Sequence, residues 1–344
     1  MEIVVADKSP ALAYGIAVSV RDQIFVHGGI AVRTSDTSPP SNSCHIFDCG
    51  KGVWSNLTSP VVPSLSFHAA FVTSDRYVHL VGGWTGKTRS SCVYIYDVQE
   101  SIWLPTCKTI GFPNGAGLSG HAAIPTTDSG CLITGRLGGL QTQRRSGCVL
   151  SLHPVAFPSV YRYDVLSEII QSRSGHTCTP VKESKKSCLL LGGRDQDVVE
   201  LLHCDRLSMD TGPSPVTLLD DDKRRYNRSP LLRPPSRRYH IAVPVIDKRG
   251  IGSGVLMHGG ESFASTAKGP SKQGPSTVIL STNPQKLSAA SSGKAEPVYS
   301  LDECEETMPR LTGHRAVTVQ DHVFVVGGLG DQWHLNKHVY KLSL

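Results

Sequence analysis

No run of eighteen consecutive apolar residues occurs in this chain, so no segment reads as a membrane-spanning helix. The start, Met1-Glu2-Ile3-Val4-Val5-Ala6-Asp7, lacks the basic segment and long apolar stretch of a secretory signal. The ten cysteines are scattered without a Cys-x-x-Cys pair, and Cys44 and Cys49, four residues between them, make a poor metal signature. A reduced, intracellular protein, cytoplasmic or nuclear, is the expectation, with thiols serving mainly as core filler. His-Glu-x-x-His, Gly-x-Ser-x-Gly and a Walker loop are all missing, and no carboxylate pair recurs at strand ends. The sequence therefore predicts no catalytic residue, no metal site and no cofactor. Aromatic residues make up only 6% of the chain and the net charge is a mild +6. The most basic block, Lys223 to Arg238, holds seven basic residues and a single aromatic, Tyr226, which disfavours a nucleic-acid partner.

What the chain has in abundance is turn material, 33 glycines and 22 prolines, and it is periodic. A short apolar run ends in a glycine pair or its near relative at Gly28-Gly29, Gly82-Gly83, Gly135-Arg136, Gly192-Gly193, Gly259-Gly260 and Gly327-Gly328, at intervals of 54, 53, 57, 67 and 68 residues. Histidines 68, 121, 176, 240 and 314 precede their glycines by 14, 14, 16, 19 and 13 residues, and Tyr14 stands 14 residues before Gly28. A residue type that returns at one repeat position in every copy points to packing, and Tyr14 is read as an aromatic substitute for the first histidine. Glycine at the end of a strand permits positive φ or close backbone approach.

The second copy shows the unit best. Ala69 to Thr73, Tyr77 to Val81 and Cys92 to Tyr96 alternate β-branched or aromatic residues with others, and a fourth strand carries Trp103. Copy one repeats the order with Trp54 in its last strand. Later copies are stretched by insertions, and the Ser/Ala/Gly-rich segment Ser288 to Lys294 reads as a surface loop. Repetition near 50 residues with four strands per copy predicts an all-β, six-bladed kelch-type β-propeller. One domain spans residues 1–344, with blades at roughly 8–60, 61–110, 111–168, 169–232, 233–306, and 307–344 plus 1–7. The last copy lacks an outer strand, and an open edge is a liability. Glu2 to Ala6 is expected to pair there and close the ring.

These repeats resemble the kelch superfamily over the whole chain. Gly82-Gly83-Trp84-x-Gly86, Gly259-Gly260-Glu261 and the stretch Thr134 to Gly147 carry the likeness; Tyr14 and Asp205 to Ser236 depart from it. The resemblance implies a non-catalytic protein-interaction module, monomeric by itself. It also implies two alternatives: a substrate-recognition subunit of a ubiquitin ligase without its own docking domain, or a sugar-modifying or isomerase-type propeller. The Glu-x-x-x-Asp-x-x-x-His ligand set of kelch-type specifier proteins does not occur, and nothing assembles the copper site of kelch-type oxidases.

In a four-stranded antiparallel blade with strands a to d, the b–c and d–a connections emerge on one face. The b–c loops offer Trp84, Arg136, Gln143, Arg144, Arg145, Arg194 and Trp333, and the d–a loops offer Arg173, Arg237 and Arg310. Arginine and tryptophan are favoured at binding hot spots, and guanidinium forks grip carboxylates. The expected partner is a protein or acidic peptide held by these ten residues.

Overall fold

The computed structural model describes residues 2–5, 9–10, 12–31, 38–113, 117–126, 129–136, 148–169, 173–180, 187–193, 200–203, 217–218, 237–246, 253–261, 277–282, 299–303 and 308–343. The chain begins with β1 (Glu2–Val5) and runs through β2 (Ile16–Val20), β3 (Gln23–His27), β4 (Cys44–Asp48) and β5 (Val53–Asn56), the last four forming one antiparallel sheet. A second sheet repeats it with β6 (Ala69–Thr73), β7 (Tyr77–Val81), β8 (Val93–Asp97) and β9 (Ile102–Trp103). After β10 (Lys108–Ile110) come β11 (Ala122–Pro125), β12 (Cys131–Thr134), β13 (Cys148–Ala156) and β14 (Val160–Ile169). The fourth sheet holds β15 (Thr177–Pro180), β16 (Ser187–Leu191), β17 (Glu200–His203) and β18 (Thr217–Leu218). The fifth holds β19 (Ile241–Ile246), β20 (Ser253–His258), β21 (Thr277–Thr282) and β22 (Tyr299–Glu303). The sixth is built from β23 (Arg315–Val319), β24 (His322–Val326) and β25 (Val339–Ser343) with β1 on its outer edge.

The four-strand unit holds in five of the six sheets. The third has five strands, because β10 leaves the second unit and pairs in parallel with β14, Thr109 opposite Tyr161. A boundary at residue 110 thus cuts the chain after a strand that belongs to the next sheet. β1 pairs antiparallel with β25, Ile3 opposite Tyr340, so chain start and chain end share a sheet.

The first strand of each sheet touches the first strand of the next, in the order β2, β6, β11, β15, β19, β23 and back to β2. Sheets packed between neighbours are buried on both faces, and Ile24, Phe25, Val78, Leu80, Val93 and Ile95 are all fully buried. Near the axis the sheets crowd, and the second residue of each inner strand is correspondingly small: Ala17, Ala70, Ala123, Cys178, Ala242 and Ala316.

Two hydrogen-bonded circuits tie neighbours together. In the first, the N–H of the second residue in each glycine pair donates to a carbonyl of the following sheet: Gly29 to Leu65, Gly83 to Leu118, Arg136 to Arg173, Gly193 to Arg237, Gly260 to Leu311 and Gly328 to Leu12, at 2.7–3.0 Å. In the second, around the axis, Phe67 N–H donates to Tyr14 O, Gly120 to Phe67, Gly175 to Gly120, Tyr239 to Gly175, Gly313 to Tyr239 and Tyr14 to Gly313, at 2.7–2.9 Å. Each residue of this second circuit has positive φ, three of them glycines and three the aromatics Tyr14, Phe67 and Tyr239.

That circuit corrects the register of the first repeat. Tyr14 aligns with Phe67, Gly120, Gly175, Tyr239 and Gly313, the residues just before the repeat histidines. The histidine position of the first sheet is Gly15, immediately before β2. The other five histidines are buried against the first glycine of the preceding sheet: a Cβ on Gly28 would lie 2.8 Å from the His68 ring, and one on Gly192 would lie 2.7 Å from His240.

Candidate functional site

The b–c and d–a connections lie together. Within single sheets Ala13 bridges to Ile30, Ser66 to Trp84, Arg238 to Glu261 and Thr312 to Leu329, each through paired backbone hydrogen bonds. At the centre of this face three aromatic rings converge from the first, second and fifth sheets. Tyr14 lies 4.9 Å from Phe67 and 4.9 Å from Tyr239, and Phe67 lies 5.4 Å from Tyr239, centroid to centroid. Glycine elsewhere in the axial circuit makes room for them: a Cβ on Gly313 would meet the Tyr14 ring, and one on Gly175 the Tyr239 ring, each at 2.8 Å. The rings, with Ala13, Ile30 and Leu329, form a buried cluster that closes the throat. Trp84, Trp333 and Leu335 pack on its margin, partly buried.

One ion pair sits against this plug. Arg238 Nε lies 2.7 Å from Glu261 Oε1, its guanidinium stacks 5.0 Å from the Tyr239 ring centre, and Tyr14 Oη donates to Glu261 Oε2 at 3.4 Å. Both charged side chains are nearly inaccessible. Beneath the plug lies an axial cavity of about 260 Å³, walled by the inner strands.

The ten residues expected to grip a partner divide into three groups. Gln143, Arg144, Arg145 and Arg194 lie outside the described residues. Arg136, Arg173 and Arg237 are 5%, 2% and 3% exposed, which corrects the picture of them as projecting rim residues. Arg173 Nη1 donates to Gly192 O at 2.9 Å and Arg237 Nη1 to Gly259 O at 3.1 Å, so these guanidiniums brace the glycine turns of their own sheets. Arg237 is desolvated enough to lower its pKa to about 10. A signal for this was present: the position three before the histidine is leucine at 12, 65, 118 and 311 and arginine at 173 and 237, and a leucine position is a core position. Trp84, Arg310 and Trp333 remain, each partly exposed on the loop face. Phe67 and Tyr239, which build the plug with Tyr14, were not among the residues singled out from the sequence.

The repeat histidines are neutral structural groups. Desolvation pushes His121 down to about 4 and His240 to about 3, and drives His68, His176 and His314 well below the usual imidazole range. Three of them bond to strand groups: His68 Nε2 to His27 Nδ1 at 3.1 Å, His176 Nε2 to Thr134 Oγ1 at 2.8 Å, and His240 Nε2 to Thr177 Oγ1 at 3.0 Å. Among the described residues no group of three or more His, Cys, Asp or Glu side chains is arranged to hold a metal ion. Nor is any described helix long and apolar enough to cross a membrane.

The family model for the Kelch motif matches residues 17–60 and 67–105, which cover β2–β5 and β6–β9, the first two intact sheets. The fold is a kelch-type β-propeller. Kelch domain-containing protein 9 of Homo sapiens is 25% identical over 336 residues, covering 95% of this chain and 90% of the relative. The Mus musculus protein of that name is 26% identical over 93% of this chain and 88% of its own length. Kelch-like protein 25 of Xenopus laevis matches at 30% identity over 90 residues, 26% of this chain and 14% of that protein. A solved structure described as the structure of YjhT superposes with a TM-score of 0.65, covering 98% of this chain and 96% of that one at 11% identity, a likeness of fold alone.

Proposed function

We infer that this kelch-type propeller is a non-catalytic interaction module whose b–c and d–a loop face docks a protein or an acidic peptide. The six sheets are read as six blades of one domain spanning residues 1–344, closed by β1. The observation that carries the functional reading is the aromatic plug. Tyr14, Phe67 and Tyr239 pack as a buried aromatic cluster on the loop side with Trp84 and Trp333 against its margin, which supports a docking surface there over a reaction pocket. Partly exposed Trp84 and Trp333 supply apolar contact area, and Arg310 supplies a carboxylate fork. The names of the full-length relatives specify a kelch domain and no reaction. The ubiquitin-ligase reading needs the same face plus a separate contact to a ligase subunit.

The test replaces Trp84, Arg310 and Trp333 together by alanine and screens wild type and variant against an immobilised library of acidic peptides. Wild type is expected to select a peptide family with salt-sensitive binding, and the variant, folded by circular dichroism, to lose at least tenfold in affinity. Selection that survives the triple substitution removes the docking role from this face.

A further inference from the structure

The first residue of each inner strand is Ile16, Ala69, Ala122, Thr177, Ile241 or Arg315. Five sheets thus bring a neutral residue to this level of the axis, and the sixth brings a guanidinium. Arg315 borders the axial cavity beneath the aromatic plug and is partly buried there. Its Nη1 donates to the His314 carbonyl at 3.1 Å. Among the described residues no carboxylate pairs with it, since Glu261 is held by Arg238 and Tyr14 on the loop side of the plug. Around it stand the alanines of neighbouring inner strands and imidazoles that burial keeps neutral. Desolvation lowers the Arg315 pKa to about 10, with the Tyr239 and Tyr14 phenols working in the opposite sense, so the side chain stays a cation at neutral pH.

A partly desolvated cation that no carboxylate among the described residues neutralises carries an electrostatic cost, and a guanidinium has five N–H donors to satisfy. The cavity, about 260 Å³, lies just below the usual range for drug-sized ligands and has room for a small anion beside Arg315. Charge, donor geometry and volume point the same way. We propose that the axial cavity of this propeller binds a small oxyanion, a carboxylate or a phosphate, on the Arg315 guanidinium. The site is separate from the loop face and stands whether or not that face docks a protein.

The experiment measures the melting midpoint of the full chain at neutral pH in sodium phosphate, in sodium malonate and in sodium chloride of matched ionic strength, for wild type and Arg315→Ile. Isoleucine occupies the same position in two other sheets, so the variant is compatible with the fold. The wild-type midpoint is expected to rise by about 2 °C in at least one oxyanion at roughly tenfold its Kd, and the variant to show no rise beyond chloride. The phosphate and malonate arms tell the two ligand chemistries apart. A second variant, Arg315→Lys, keeps the charge but not the planar fork, and calorimetric titration should show several-fold weaker binding than wild type. A wild type that responds to neither oxyanion, or an Arg315→Ile protein that responds as strongly, overturns the proposal. The Trp84, Arg310 and Trp333 triple variant should keep the wild-type response, which separates failure of this site from failure of the loop face.

Discussion

Single residues in this propeller act through where their backbone is allowed to go. Gly28 has φ +68°, and an added Cβ would sit 2.3 Å from Leu65 O and 2.8 Å from the His68 ring, both on the neighbouring sheet. Gly28→Ala combines a left-handed backbone with an overpacked seam and is expected to cost about 2–4 kcal/mol, read as a lower denaturant midpoint. Gly50 is the control: its nearest neighbour is Asp48 Oδ1 at 3.4 Å and its φ is ordinary, so Gly50→Ala should stay within about 0.5 kcal/mol of wild type. The same logic explains the axial circuit. Six residues of positive φ are needed, and the chain supplies three glycines and three aromatics, whose rings occupy the room the glycines leave.

At the level of whole strands, the decisive element is β1. It pairs through Glu2, Ile3 and Val5 with Lys341, Tyr340 and Val339, covering the outer edge of the sheet that holds the last strands. Deleting residues 1–7 uncovers that edge and unties the sheet from the start of the chain. The melting midpoint should fall by roughly 3–6 °C, and size-exclusion chromatography should show self-association through the open strand. An unchanged midpoint would show that this pairing contributes nothing. Elsewhere, local ion pairs secure the hairpins: Arg76 Nε bonds to both carboxylate oxygens of Asp97 at 2.9 and 3.0 Å, and Asp97 also accepts from the N–H groups of Gln99 and Glu100.

Over the whole molecule the buried imidazoles set the response to acid. His27, His121 and His240 have pKa values pressed down by burial to about 3, 4 and 3, against 6.5 in the unfolded chain. Between these limits the unfolded state binds more protons than the folded one. Stability is therefore fully present above about pH 6.5 and is lost as the pH falls toward 4. Each histidine contributes a slope of about 1.4 kcal/mol per pH unit, so the three together give roughly 4. Thermal melts across this window should show a steep fall below pH 6, and a midpoint flat from pH 7 to 4.5 would contradict the neutral, buried assignment. His121→Asn should flatten the slope by about one histidine's share.

Glycine pairs at near-constant spacing, alternating apolar runs and an unpartnered last strand were enough to read an all-β propeller from residue order, because each blade repeats the same local solution to turning and packing. The four-strand parse of the second unit matches β6 to β9, and its β6 and β7 agree to the residue. Spacing alone misplaced Tyr14 by one residue, since a tyrosine and a histidine fall equally far from their glycines while the hydrogen-bonded circuit distinguishes them. Nor could residue order show which arginines are solvent-facing. Arg173 and Arg237 follow the loop pattern yet occupy leucine positions, where the ring turns them inward onto backbone carbonyls. Only closure of the ring decided that Tyr14, Phe67 and Tyr239, up to 225 residues apart, meet at one axis, and that Arg315 lines the axial cavity with no carboxylate partner among the described residues. Local periodicity specifies a blade; convergence at the axis depends on every blade at once.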